Sequence, residues 1–333
     1  MVLTRSLLLA AACALPLSIV ACGSSTGGGG TPVPEGTHYG YVVSKANVPV
    51  DPKTATMYGL DLGAAKSGTP DGTVDNRLGQ VLGALAMMGF DIQGTVTTAV
   101  NEGSIILLID FQTKDFMNSS AAGLSVKIGA NPMPAACTDP ADPTTCGKHL
   151  TGTASFSIDP KSPADALVAG TIVNGTFNGG PGNIDLQIAL GTTQPITLSL
   201  LNARAKATAI TADGMTATVG GALSVNDLNT QVIPAIASQV EGILARDCGT
   251  GTRPPPTCNC AAGSTSVTLL NLFDGDITGT TKDCTISVDE IAGNPLIKGL
   301  LSPDVCSAKT CTAPDSLSLG IQVQTVKATF PPM

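Results

Sequence analysis

Strict alternation of apolar and polar residues dominates the centre of the chain. From Asn183 to Leu190, Ile184, Leu186, Ile188 and Leu190 alternate with Asp185, Gln187 and Ala189. Ile196, Leu198 and Leu200 then alternate with Thr197 and Ser199, and Asn202 to Ile210 alternates alanine with Arg204, Lys206 and Thr208. Asp213-Gly214 is a tight-turn pair, after which Met215, Ala217 and Val219 alternate again. A period of two with short connections predicts antiparallel hairpins, each with one apolar face and one wet face. The run Ile105–Ile109 is apolar throughout and predicts a strand buried on both faces. Near the end, Leu317, Leu319, Ile321 and Val323 alternate over Ser316 to Val323, which predicts a last strand that joins the main sheet.

Two segments carry the helical period instead. Leu78, Val81, Leu82 and Leu85 predict one amphipathic helix within 71–89, with Asp71 and Asp75 in turn or capping roles. Leu228, Val232, Ile236, Val240 and Ile243 or Leu244 form a second stripe that starts near Asn226 and Asp227, and Pro234 bends it near its beginning. The expected fold is α+β and mainly β: a large antiparallel sheet or sandwich covered by these two helices, followed by a Cys-rich helix-loop-helix segment. A long helix against a strongly curved sheet resembles tubular lipid-binding domains in architecture. That resemblance implies a carrier of an apolar ligand such as lipid, with small aliphatic residues lining the groove and little aromatic filler.

The N-terminus changes the picture. After Arg5, residues 6–20 are almost wholly apolar, a length that suits a secretory h-region and falls short of the roughly 20 residues of a spanning helix. The run ends Ile19-Val20-Ala21-Cys22, which resembles the lipobox of bacterial lipoproteins. The resemblance implies cleavage before Cys22, lipid on its sulfur and amine, and a cell-envelope location. Gly23, standing where inner-membrane retention would use aspartate, implies the outer membrane. Residues 1–21 then form the signal peptide, 22–36 a lipidated cysteine with a Gly/Ser/Pro leash, and 37–333 one β-rich domain with a Cys-rich EF-hand-like insert at 248–311.

Composition narrows the chemistry. The formal charge of −8 becomes −9 once Arg5 is removed, and no basic block occurs, which excludes nucleic acid as a partner. Tryptophan is absent and aromatic residues make up 3%, too few for an aromatic sugar platform. Beyond Cys13 and Cys22, eight cysteines form an even set, as expected for disulfides in an oxidising compartment. Cys137 pairs with Cys146 and Cys306 with Cys311 on this reading. Cys248, Cys258, Cys260 and Cys284 make two more bridges, in one of three arrangements.

Asp283-Cys284-Thr285-Ile286-Ser287-Val288-Asp289-Glu290 resembles the second half of an EF-hand loop. The resemblance implies Ca²⁺ held by Asp274, Asp276, Asp283, Thr285 and Glu290. Against it, Cys284 stands where the loop needs glycine, and five extra residues must loop out to bring in Asp274 and Asp276. The alternative is a vestigial helix-loop-helix held by a Cys284 disulfide. His38 and His149 sit in no catalytic motif, and neither a nucleophile elbow nor a P-loop occurs. The expected function is a non-catalytic interaction or envelope-structural domain tethered to the membrane, partnered by another envelope protein or by lipid.

Overall fold

The computed structural model describes residues 32–63, 67–164, 166–190, 195–275 and 282–331. Among them nine strands are found: β1 (Thr37–Asn47), β2 (Leu107–Thr113), β3 (Ser119–Met133), β4 (Ser155–Ile158), β5 (Leu167–Val173), β6 (Thr176–Ile188), β7 (Ile196–Thr211), β8 (Gly214–Ser224) and β9 (Ser316–Lys327). Their order is β2-β1-β9-β8-β7-β6-β5-β3, and β3 pairs back onto β2, so eight strands close into an antiparallel barrel. β4 adds only to the far end of β3. The expected β-rich antiparallel class holds, but the sheet closes on itself and is not a sandwich. The final strand does join the main sheet, but β1 then takes its other edge, with Val42 opposite Val326 and Ala46 opposite Val323. Closure leaves none of the eight with a free edge.

The connections divide between the two ends. At one end the strands are joined by 114–118, 174–175 and 212–213. Asn174 and Gly175 both adopt positive φ, 50° and 75°, as a two-residue hairpin turn matched to strand twist requires. At the other end the long insertions carry the helices. Between β1 and β2 lie α1 (Pro52–Met57), α2 (Arg77–Met87) and α3 (Ile92–Glu102). Between β8 and β9 lie α4 (Val225–Asp227), a π-helical turn (Leu228–Val232), α5 (Ile233–Cys248), α6 (Thr265–Phe273), α7 (Val288–Gly293) and α8 (Pro295–Leu300).

The helices differ from expectation at their starts. Asn76 caps α2 by accepting from the Gly79 amide, so that helix begins six residues after Asp71. Ser224 caps α4 through the Asp227 amide, in place of Asn226. Pro234 has no N–H to donate, and the backbone widens into a π turn just before it. The stripe Leu228, Val232, Ile236, Val240, Ile243 and Leu244 is buried along its whole length.

Side chains fill the lumen. At the hairpin end Phe111 meets Phe177 edge-on, with ring centroids 5.3 Å apart. Tyr41 is fully buried and donates its hydroxyl to the Thr211 carbonyl at 2.6 Å. Small inward residues, Ala122, Ala203, Ala205, Ala207 and Ala217, make room for these rings. Leu124, Val126, Ile184, Leu186, Val219 and Leu319 continue the same core, which runs on into Leu78, Leu82, Leu85 and Val240 of the helices. The aromatic filler that the composition seemed to lack is thus concentrated inside the barrel. A smaller apolar cluster lies outside it, where Ala154, Phe156 and Ala328 cover Val42, Ile106 and Leu108.

Candidate functional site

Cys22 and the preceding residues lie outside the described residues, as does Asp276. The eight cysteines from Cys137 onward are all paired. Cys137–Cys146 and Cys306–Cys311 are the two local bridges expected, and the open choice among the remaining four resolves to Cys248–Cys260 and Cys258–Cys284. The second of these ties the loop after α5 to the loop between α6 and α7. Cys284 has a φ of 65°, the left-handed backbone that the EF-hand glycine would supply, here fixed by the bridge.

That loop brings three of the expected metal ligands together. Asp274, Asp283 and Glu290 each offer a carboxylate oxygen within 4.8 Å of the others. Their oxygens already accept protein donors. Asp274 Oδ1 and Oδ2 take the amides of Asp283 and Cys284 at 3.0 and 3.1 Å. Asp283 Oδ1 takes the amide and hydroxyl of Thr285. Glu290 Oε1 takes the Gly275 amide, and Oε2 closes a capping box with Ser287 at the start of α7. Burial pushes the Asp274 carboxyl upward, and the Asp283 and Glu290 charges add to the effect. Thr285 donates its hydroxyl to Asp283 at 2.7 Å. The arrangement is a carboxylate-pinned loop joining α6 to α7, and a cation would have to share oxygens already engaged by amides.

The acidic residues of the other loop have turn and bridge roles. Asp61 accepts the amides of Asp71 and Gly72, Asp71 accepts that of Thr73, and Asp75 accepts that of Leu62. This loop roofs a cleft of about 560 Å³ on the outer wall, lined by Asp61, Asn178, Arg204, Lys206, Thr218 and Gln322. Arg204 fastens the roof by donating from Nη2 to the Gly68 carbonyl at 2.8 Å.

The constellation that sequence reasoning missed is His38 with Asp110. The Asp110 carboxylate is 5% exposed and both its oxygens lie within 3.0 Å of His38 Nδ1. Gly40 pairs with Asp110 and His38 with Gln112, so antiparallel register sets the two side chains diagonally on one face. They are 72 residues apart in sequence, and no local motif signals the contact. His38 and Asp110 both line a shallow cleft of about 340 Å³ beside Lys327, Thr329 and Phe330. Among the described residues no hydroxyl or thiol hydrogen-bonds to the ring, though Thr329 lines the same cleft.

His149 is different. It is fully buried against Phe156, and neither ring nitrogen has a hydrogen-bond partner among the described residues. Burial lowers its pKa, and the Val100 carbonyl opposes this only weakly, without forming a full hydrogen bond. A neutral core imidazole is the result. No helix among the described residues is long and apolar enough to cross a membrane. No family model, curated protein or solved structure matches the chain.

Proposed function

We propose that this chain is a lipid-anchored protein of the bacterial cell envelope, whose barrel serves as a non-catalytic interaction or structural domain. The observation that carries the reading is the pairing of all eight cysteines downstream of the lipobox. A chain whose every remaining thiol finds a stereochemically reachable partner is built for an oxidising compartment, and Ala21-Cys22 supplies the means of staying there. A lumen filled by side chains supports a scaffolding role for the barrel. Several acyl chains on one residue give durable anchorage, at about 0.8 kcal/mol per buried CH₂.

Intact mass of the native protein, extracted from membranes in detergent without reductant, tests this. The expected species begins at Cys22, carries acyl and diacylglycerol mass, and shows no free thiol. An unmodified N-terminus with titratable thiols would refute it. Acyl lipids recovered from an organic extract of a soluble Cys22→Ser protein would point instead to a carrier of apolar ligands.

A further inference from the structure

The outer surface of the barrel is not uniform. The β1–β2 wall is covered by β4 and the end of the chain, through Phe156 and Ala328. The β7–β8 wall is covered near the helical end by Leu62 and Val305, which pack on Ala222 and Leu201. On the β3–β5–β6 wall the outward Gly123, Ser125 and Lys127 of β3 are buried, whereas outward Leu167, Thr171 and Val173 of β5 are exposed. Residues 166–184, which span β5 and most of β6, contain no charged residue and no histidine.

Four large apolar side chains gather on it: Val33, Met117, Leu167 and Val173, from 40% to 79% exposed. Leu167 and Val173 lie on one face of β5, about 20 Å apart. Pro34 and Leu167 flank Gly123 so closely that a Cβ there would meet both. Met117 sits beside Gly175, at the turn that follows Val173, and its carbonyl accepts the Gly175 amide at 2.9 Å. The first described residues pack onto the same wall, with the Glu35 amide donating to the Ala121 carbonyl at 3.1 Å and Glu35 pairing with Lys114. The ten residue-to-residue steps from Cys22 to Pro32 span at most about 36 Å even when fully extended.

We propose that this wall is the face the domain lays on the bilayer, with Val33, Met117, Leu167 and Val173 entering the boundary between headgroups and acyl chains. The inference rests on the lipid anchor at Cys22. The occupant is lipid because the chain reaches the domain across this wall, and because the outward side chains of β5, Leu167, Ala169, Thr171 and Val173, enter the interface without desolvating a charge, the exposed Glu35–Lys114 pair standing at its edge among the headgroups. The β8–β9–β1 wall, with Thr216, Thr218, Gln324 and Lys45, stays in water.

The absence of tryptophan makes the test direct, since one introduced indole is the only reporter. The lipidated full chain carrying Val173→Trp, and separately Gln324→Trp, is reconstituted into phosphatidylethanolamine–phosphatidylglycerol vesicles with acyl chains brominated near the headgroup. Leu167→Trp replaces Val173→Trp if the latter alters the circular dichroism. The expected result is several-fold quenching and a blue shift for the β5 reporter, with little of either for Gln324→Trp. With lipid confirmed on Cys22 by mass, a β5 reporter quenched no more than Gln324→Trp overturns the orientation alone. A blue shift without quenching does the same, since it means that a protein covers the wall. An unmodified Cys22 overturns the anchor reading and the orientation with it.

Discussion

Replacing Asp75 with asparagine isolates the energy stored in one half-buried carboxylate. Asp75 precedes the Asn76 cap of α2, bridges Leu60 through its main chain, and accepts the Leu62 amide at 2.8 Å. Burial pushes its carboxyl from 3.8 up to about 6, the Asp304 and Asp71 charges push the same way, and the Leu62 and Gly63 amides resist. The folded chain therefore binds this proton more tightly than the unfolded chain does. Stability rises as pH falls through 6 towards 3.8, and the charged form is a burden above pH 6. At 1.36 kcal/mol per pKa unit the burden has a ceiling of about 3 kcal/mol. Solvent reaches part of the group, and a negative charge beside the start of α2 contributes about 0.3–1 kcal/mol that asparagine would forfeit. Asparagine keeps an acceptor for the Leu62 amide, so Asp75→Asn is expected to be more stable than the parent by about 1–2 kcal/mol at about pH 7.5. Urea unfolding measured at several pH values reads this directly. The advantage must shrink as the parent's carboxyl protonates and be small by about pH 4.5. A constant difference across that range, or a less stable variant at neutral pH, would refute the argument.

Other perturbations probe separate parts of the molecule. The lowered pKa of His149 means that the unfolded chain takes up this proton before the folded chain does, so stability falls as pH drops below the ordinary value of about 6.5. His149→Phe should remove that component, and parallel pH slopes for parent and variant would exclude it. Phe111→Ala opens a hole beside Phe177 and should cost about 3–5 kcal/mol in urea unfolding, while a loss below about 1 kcal/mol would mean that the lumen collapses to fill it. Replacing both Cys258 and Cys284 by alanine should cost about 2–4 kcal/mol yet leave the far-UV β signal intact, whereas loss of that signal would place the bridge in the barrel's own stability. Ca²⁺ should leave the melting temperature unchanged because the carboxylate oxygens of Asp274, Asp283 and Glu290 are engaged by protein donors. A rise that Asp274→Asn abolishes would identify the loop as a metal site.

Local periodicity made part of this fold legible. β6 to β9 and the long helix through α5 show as clean alternation or a clean stripe, because each sets its large apolar side chains on the core face and polar or small ones on the other, even where, as at Ser316 and Ser318, that other face is also covered. β1, β3 and β5 are harder to read. Val42 and Leu108 are buried outside the barrel as well as their neighbours inside, and β3 is buried continuously from Ala122 to Ile128, so the period of two is blurred by covers that come from distant segments. Closure has no local signature. It depends on β1 meeting β9 some 280 residues away, and on Leu107 facing Ile128 across the other seam. The disulfides were half legible because two bridges are short, while the other four cysteines needed the α5–α6 and α6–α7 loops to be placed. His38 and Asp110 were invisible, since only strand register brings them together.

The placement of the disulfides follows from that division of labour. They link residues 5, 9, 12 and 26 apart, and none crosses a barrel seam. The barrel does not need them, because eight strands with no free edge and a continuous apolar core already hold one another in register. The insertions at the helical end have less to lean on. The segment 249–263 contains no helix or strand, and α7 and α8 are six residues each, too short to stand without tertiary support. Cys248–Cys260 and Cys258–Cys284 bind this stretch to the end of α5 and to the loop before α7, where chain entropy is greatest and packing thinnest. Bridges that close short loops can also form before the two ends of the chain meet.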